Sequence, residues 1–387
     1  MLRTIRSFAL PLVSIVTLSA AVAPLAAQSA TLLQLQAGSQ LGDRFKADSG
    51  GGFVAFGFAK EAGNTTACAS QIPATGSGTR FMWFPCRGSV RFGRVPNGWA
   101  NWDDVNTGDF TFAGGDNVSA RGIASFAYGE NVSVTSRDGA ALGYNVNVSG
   151  TSGFSAGASN KCSGFACVAL GFSTNAAGQA AVAIGFRTTA TGDYTMALGF
   201  RASNNGHTGT FAWGDESTTD SVRNQANNEF RIRAKGGIAL RTSAEASAAA
   251  GVNGNTGCDL PTGSGSWSCA SSRYIKENVT DVDGEEVLTK VRDVPVTTWN
   301  YIAEGKDVRH MGPFAQDFYT AFGLGTDSAS IGMIDINGVN LAAIKALEHR
   351  TAELKAAQAA LEAKSERLDQ LEERVARLEK LLGKKSK

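Results

Sequence analysis

Bulky and small side chains alternate in short bursts through the middle of the chain. Val168/Leu170/Phe172, Val182/Ile184/Phe186 and Met196/Leu198/Phe200 interleave with Ala169/Gly171, Ala183/Gly185 and Ala197/Gly199. Period-two patterning of this kind predicts short strands, each with a bulky face and an Ala/Gly face. The bursts recur around Gly114, Gly129, Gly143, Gly157, Gly171, Gly185, Gly199 and Gly214, at spacings of 15, 14, 14, 14, 14, 14 and 15 residues. A fixed short period is the signature of a solenoid, whose rungs cannot fold alone. The bulky face is expected to fill a core, and the small face to admit another backbone closely. A second glycine seven residues earlier in most rungs (Gly122, Gly150, Gly164, Gly178, Gly192) is expected to supply a positive-φ turn. Alternation is poor around Gly114, which puts the edge of the array there, with the repeats over 108–215.

The flanks follow other patterns. Residues 28–107 have no period, but Thr79 to Val105 concentrates Phe81, Trp83, Phe84, Phe92, Trp99 and Trp102. This predicts a small β-rich cap over the open end of the array; a ligand-binding surface is the other reading of such aromatics. Over 216–270, Asn227–Ala234 and Gly236–Leu240 read as a hairpin-like pair of strands, and Ser243–Gly265 as a flexible linker. Near the end, Leu347, Leu354, Leu361, Leu368, Val375 and Leu382 recur every seven residues, with Ala357, Leu371 and Leu378 three positions after members of that series. That is a coiled-coil seam over 346–387, looser in its first half where Arg350 and Lys364 interrupt it. A single helix docked on its own domain is the alternative, but it would be some ~60 Å long. Oligomerisation is the better reading.

Composition narrows the class. Forty-six glycines and only 18% charged residues in 387 fit many tight turns, and 36 basic against 35 acidic residues give no field that favours nucleic acid. Residues 1–27 read as an export signal: Arg3 and Arg6, an apolar stretch from Phe8 to Val22, and a small-residue site at Leu25-Ala26-Ala27. The apolar stretch is shorter than the ~20 residues needed to span a bilayer, so the mature chain is expected to be secreted or at the cell surface, with no membrane span. Six cysteines in an exported chain suggest disulfides. Sequence order pairs them as Cys68–Cys86, Cys162–Cys167 and Cys258–Cys269, one of 15 connectivities. No zinc-type spacing occurs and His207, His310 and His349 do not cluster, so neither metal nor cofactor is expected.

The repeat pattern resembles the head repeats of trimeric autotransporter adhesins and related phage fibres, which implies a β-roll built from three parallel chains; a monomeric β-solenoid is the alternative. Beyond the linker, Ser271-Ser272-Arg273-Tyr274-Ile275-Lys276-Glu277-Asn278 and His310-Met311-Gly312-Pro313-Phe314-Ala315-Gln316 precede an Asp335–Val339 hairpin signal and the heptads. In this order the elements from Ser271 to the C-terminus, with the domain itself over 271–345, resemble the chaperone of endosialidase family, the C-terminal auto-processing chaperone of phage tailspikes. The resemblance implies a domain that trimerises a fibre and then cuts itself free, with Ser271 as nucleophile, Lys276 as base and His310 in a secondary role. The chemistry is sound in itself. A serine hydroxyl needs a neighbouring base to take its proton, and a lysine serves once burial or nearby positive charge favours its neutral form. Ser272 is a rival nucleophile, four residues from Lys276.

The fold expected is mostly β, a trimeric β-roll shaft with a small α+β C-terminal chaperone domain ending in a coiled coil. The function expected is an exported fibrous surface protein, a homotrimer whose cap meets a surface glycan or cell receptor. Its only enzymic activity would be cleavage of itself. A non-cleaving structural adhesin is one alternative. A polysaccharide-degrading tailspike is another, although Asp103/Asp104 and Asp215/Glu216 are sequence neighbours that point to different sides of a strand.

Overall fold

The computed structural model describes residues 31–36, 43–48, 53–55, 72–243 and 256–383. The expected export signal, Cys68, and the 244–255 part of the expected linker lie outside the described residues. The chain divides into two compact units, and the division falls between Ala270 and Ser271.

In the first unit two ladders run side by side, parallel throughout except where Gly78–Phe84 pairs antiparallel with Ser89–Val95. One is an 11-stranded sheet that starts with Gly78–Phe84 and Ser89–Val95, climbs through Phe112–Asp116, Phe126–Glu130 and their successors, and ends at Phe230–Arg233. The other is an eight-stranded sheet of two-residue strands from Ser119–Ala120 to Val222–Arg223. Each residue pairs with its counterpart one rung on, as in Val168↔Val182, Gly171↔Gly185 and Phe172↔Phe186. The chain is a β-solenoid of about seven turns, as the period predicts.

Two corners per rung adopt left-handed backbone, at Asn117, Asn131, Asn145, Ser159, Ser173, Arg187 and Arg201, and at Ala124, Asp138, Ser152, Ala166, Ala180 and Tyr194. The second glycine series therefore does not supply the positive-φ turn expected of it; the left-handed residue is two places later. Gly122, Gly150, Gly164 and Gly178 are needed instead because a Cβ there would strike the backbone of the next rung. The first series does both, since Gly129, Gly143, Gly157, Gly171 and Gly185 have positive φ and each lies against the next glycine's carbonyl. The register also corrects the expected edge. Gly115, not Gly114, aligns with Gly129, and Gly93 aligns with Gly115, so the ladder reaches back into the aromatic segment.

The two faces are inverted relative to the expectation. Ala127, Ala141, Ala169, Ala183 and Ala197 are fully buried with Val132, Val134, Val146 and Val148, and they make the core. The bulky series faces outward, with Phe172 and Phe186 stacked at 5.3 Å and Phe186 and Phe200 at 5.2 Å. A coil of 14 residues closes tightly around small side chains, which leaves no room inside for Phe or Leu.

The N-terminal end is closed by side chains. Within the ladder, Val132 and Val134 carbonyls accept the N–H groups of Ser119 and Arg121 one rung earlier. At the first rung, Val118 O accepts Trp102 Nε1 at 2.8 Å, while Ala120 O accepts Gly108 N and Arg91 Nη2, both at 3.1 Å. Trp102 and Arg91 are both fully buried. An otherwise open sheet edge is thus covered.

At the other end the expected hairpin does not form. Phe230–Arg233 adds in parallel to Phe211–Gly214, with Phe211↔Phe230 in register across an insertion. Ile238–Arg241 instead pairs with Gly257–Leu260, which pairs with Ser268–Cys269, so part of the expected linker is a three-stranded sheet. Disulfides join Cys162 to Cys167 and Cys258 to Cys269. Cys86 is disulfide-bonded as well.

The second unit is small and mainly helical: α1 (Gly284–Asp293), a two-stranded sheet (Thr297–Trp299 with His310–Gly312), α2 (Ala315–Phe322) and α3 (Met333–Gly383). Asp283 caps α1 by accepting from the N–H groups of Glu285 and Glu286. Val287, Leu288, Phe318, Val339, Ala343 and Ala346 form its core. The expected Asp335–Val339 hairpin is part of α3. Asn-Gly specifies a turn between alternating strands, whereas here Ile336, Val339, Ala343 and Ala346 follow helical spacing against α1 and α2. No helix among the described residues is long and apolar enough to cross a membrane.

Candidate functional site

Ser271 opens the second unit and is followed at once by a 3-10 turn, Arg273–Ile275. Ser272 caps that turn, its Oγ accepting the Tyr274 N–H at 3.3 Å, while Ile275 N donates to Ser272 O and Lys276 N to Arg273 O, each at 3.3 Å. The tight turn carries the chain back on itself, and Lys276 Nζ donates to Ser271 Oγ at 2.8 Å. Of the two serines, one has its hydroxyl committed to backbone and the other to the lysine. Both Ser271 and Lys276 are exposed in the single chain.

On the other side of Ser271 the backbone is tied to the first unit. Ala270 N donates to Gly257 O at 2.9 Å, and Cys269 is in register with Cys258 and bonded to it. The Ala270–Ser271 peptide bond is therefore the link at which one compact unit gives way to the next.

His310 has a different setting. Its Nε2 lies 2.9 Å from Glu304 Oε2, and its ring packs 4.8 Å from Trp299 and 5.5 Å from Tyr301. The Tyr301 N–H also donates to Glu304 Oε2, at 3.2 Å. The hydrogen bond from His310 holds the Glu304 carboxyl below its ordinary range, against partial desolvation. Ser271 and Lys276 are thus brought together, while the described hydrogen bond of His310 is to Glu304. Glu304, Trp299 and Tyr301 escaped the sequence reading because nothing in their spacing sets them apart; only the strand pairing Trp299↔His310 joins them.

Three of the other carboxylates considered, Asp103, Asp104 and Asp215, have structural partners. Asp103 accepts from Gly76 N, Asp104 from Arg87, and Asp215 from Ser217, Arg233 and Lys235. Among the described residues no group of three or more His, Cys, Asp or Glu could hold a metal ion.

Comparison with known families matches residues 271–323 to the chaperone of endosialidase. The YadA head domain repeat matches in two copies, at residues 168–188 and 176–202. The first match begins at Ser271, where the second unit begins, and the second lies on the solenoid rungs, as the motifs implied. None of the curated proteins matches the chain.

Proposed function

We propose that the protein is an exported, trimeric surface fibre whose C-terminal domain assembles the shaft and then cuts itself away at Ala270–Ser271. The observation that carries the proposal is the 2.8 Å contact of Lys276 Nζ with Ser271 Oγ, at the residue where the two units divide. Ser271 Oγ attacks the Ala270 carbonyl as Lys276, in its neutral form, takes the hydroxyl proton. The C–N bond breaks, the nitrogen takes a proton to become the Ser271 amine, and an ester links Ala270 to Ser271 Oγ. Water then hydrolyses the ester to the Ala270 carboxylate and a free serine.

Trimerisation is supported by two uncovered apolar surfaces. The outer face of the long sheet exposes Phe126, Phe154, Phe172, Ile184 and Phe186, and α3 exposes Leu354, Leu361, Leu368, Val375 and Leu382. Both are what a second and third copy would cover, the helices as a coiled coil. A lysine works as a base only when neutral, and burial favours that form. Because Lys276 is exposed in a single chain, assembly is what would desolvate it, so cutting follows assembly.

On a denaturing gel the wild-type protein should release a fragment of 117 residues (387 − 270). Ser271→Ala and Lys276→Ala should leave the chain whole. Wild-type chains that stay intact would sink the cleavage and leave a non-cleaving adhesin.

A further inference from the structure

We propose that three copies of Lys364 form a binding site for a small tetrahedral oxyanion, of the sulfate or hydrogen phosphate kind, on the axis of the helical seam. The inference rests on the trimeric reading above and extends it. Lys364 stands in the second seam position of the heptads, about one turn from Leu361 and one from Leu368. In a single chain α3 leaves both leucines and Lys364 exposed. Arg350, the other cation in the seam, is answered within its own domain. Its Nε donates to both carboxylate oxygens of Glu285, at 3.0 and 2.9 Å. Lys364 is placed differently. The residues that adjoin it one turn away on the helix, Ala360, Leu361, Arg367 and Leu368, include no acid.

Nor do the flanks of the seam supply one. In a parallel coil the residue just before each member of the Leu347–Leu382 series faces, in the next chain, the residue just after the second seam position. That rule sets Arg367 against Glu372 and Arg374 against Glu379, so those cations are neutralised across chains. At the Lys364 layer it sets Ala360 against Ser365, which carry no charge and leave the layer reachable from solvent. Three ammoniums thus meet between two leucine layers without a carboxylate beside them. Turned outward, they would leave the layer poorly filled. Turned inward with nothing between them, they would repel one another in a dry core. A dianion on the axis removes both costs, giving one oxygen to each ammonium in a charge-assisted hydrogen bond. A tetrahedral anion has the three-fold symmetry that such a ring requires.

The test uses the full chain carrying Ser271→Ala, which keeps it whole, in chloride buffer at fixed ionic strength. Light scattering should give particles of three chains. Titration calorimetry with sodium sulfate should give one anion per particle, and sulfate should raise the thermal midpoint of the helical circular-dichroism signal. Adding Lys364→Leu should abolish the binding, raise that midpoint in chloride alone and leave it indifferent to sulfate. Adding Lys355→Gln instead removes the same charge from a position outside the seam and should bind sulfate as before. Unchanged binding with Lys364→Leu, equal loss with Lys355→Gln, or a three-chain particle that takes no sulfate would overturn the proposal and leave the trimeric fibre standing. A particle of any other mass overturns the trimer and the site together.

Discussion

Gly143, Gly171 and Gly185 each meet two demands that no other residue satisfies, positive φ and a neighbouring rung's carbonyl where a Cβ would be. Gly171→Ala should therefore cost roughly 2–4 kcal/mol in chemical denaturation, from backbone strain and steric conflict together. A Cβ on Gly236 would meet no atom within 4 Å and the residue has no left-handed φ, so Gly236→Ala should be near neutral in the same experiment. A loss at Gly171 no larger than at Gly236 would remove the close-approach argument. Trp102 makes the complementary case at the capped end. Trp102→Phe keeps an aromatic ring but leaves Val118 O without its indole donor. It should cost about 1–3 kcal/mol, the penalty of an unsatisfied buried acceptor. The glycine period was legible in the sequence because it is a steric requirement repeated at fixed spacing. Trp102 was legible only as an aromatic, since nothing in its surroundings names a carbonyl sixteen residues away.

Elements were harder to read than residues, and for identifiable reasons. Alternation reveals that a strand has two faces, but which face turns inward depends on how wide the coil is, and only the closed rung settles that. Phe172 therefore lies outside and Ala169 inside. Asn337-Gly338 gave a turn signal that helix packing overrode. The last rung was hidden because an insertion after Gly214 breaks the period, and its fold depends on carboxylates rather than apolar spacing. Asp215 holds Ser217, Arg233 and Lys235, while Glu229 accepts the Gln225 N–H at 2.6 Å and pairs with Arg231. The Gln225 N–H, then Arg231, lowers the Glu229 carboxyl from 4.5 to about 2. A carboxyl depressed on folding adds stability above its unfolded value, and that stability is lost as the pH falls through the folded one. The difference in thermal midpoint between wild type and Glu229→Gln should accordingly be full at pH 5 and vanish towards pH 2. A constant difference across that range would mean that Glu229 contributes by packing instead.

For the proposed trimer the difficulty lies in register rather than in stability. Val168-Ala169-Leu170-Gly171-Phe172 and Val182-Ala183-Ile184-Gly185-Phe186 are nearly the same surface, one rung apart. Three shafts docking by their outer faces could slip by a rung at little cost, because similar columns would still meet. The 51-residue α3 does not share this degeneracy, since its apolar stripe is interrupted by Arg350 and Lys364 and so distinguishes one alignment from the next. A helical seam that pairs first would set the shafts in register before the rungs zip, and afterwards it would be dispensable. Leu361→Asn with Leu368→Asn should then leave the single-chain helix intact by circular dichroism, yet reduce the light-scattering mass from three chains to one and stop cutting. The order of events gives the sharper test. A gene ending at Ala270 should yield aggregates or mixed assemblies. Shafts freed from the same C-terminal residues after assembly should stay uniform trimers that melt as one. If both routes give the same trimer with the same melting behaviour, the C-terminal unit is no assembly aid, and the register argument falls with it.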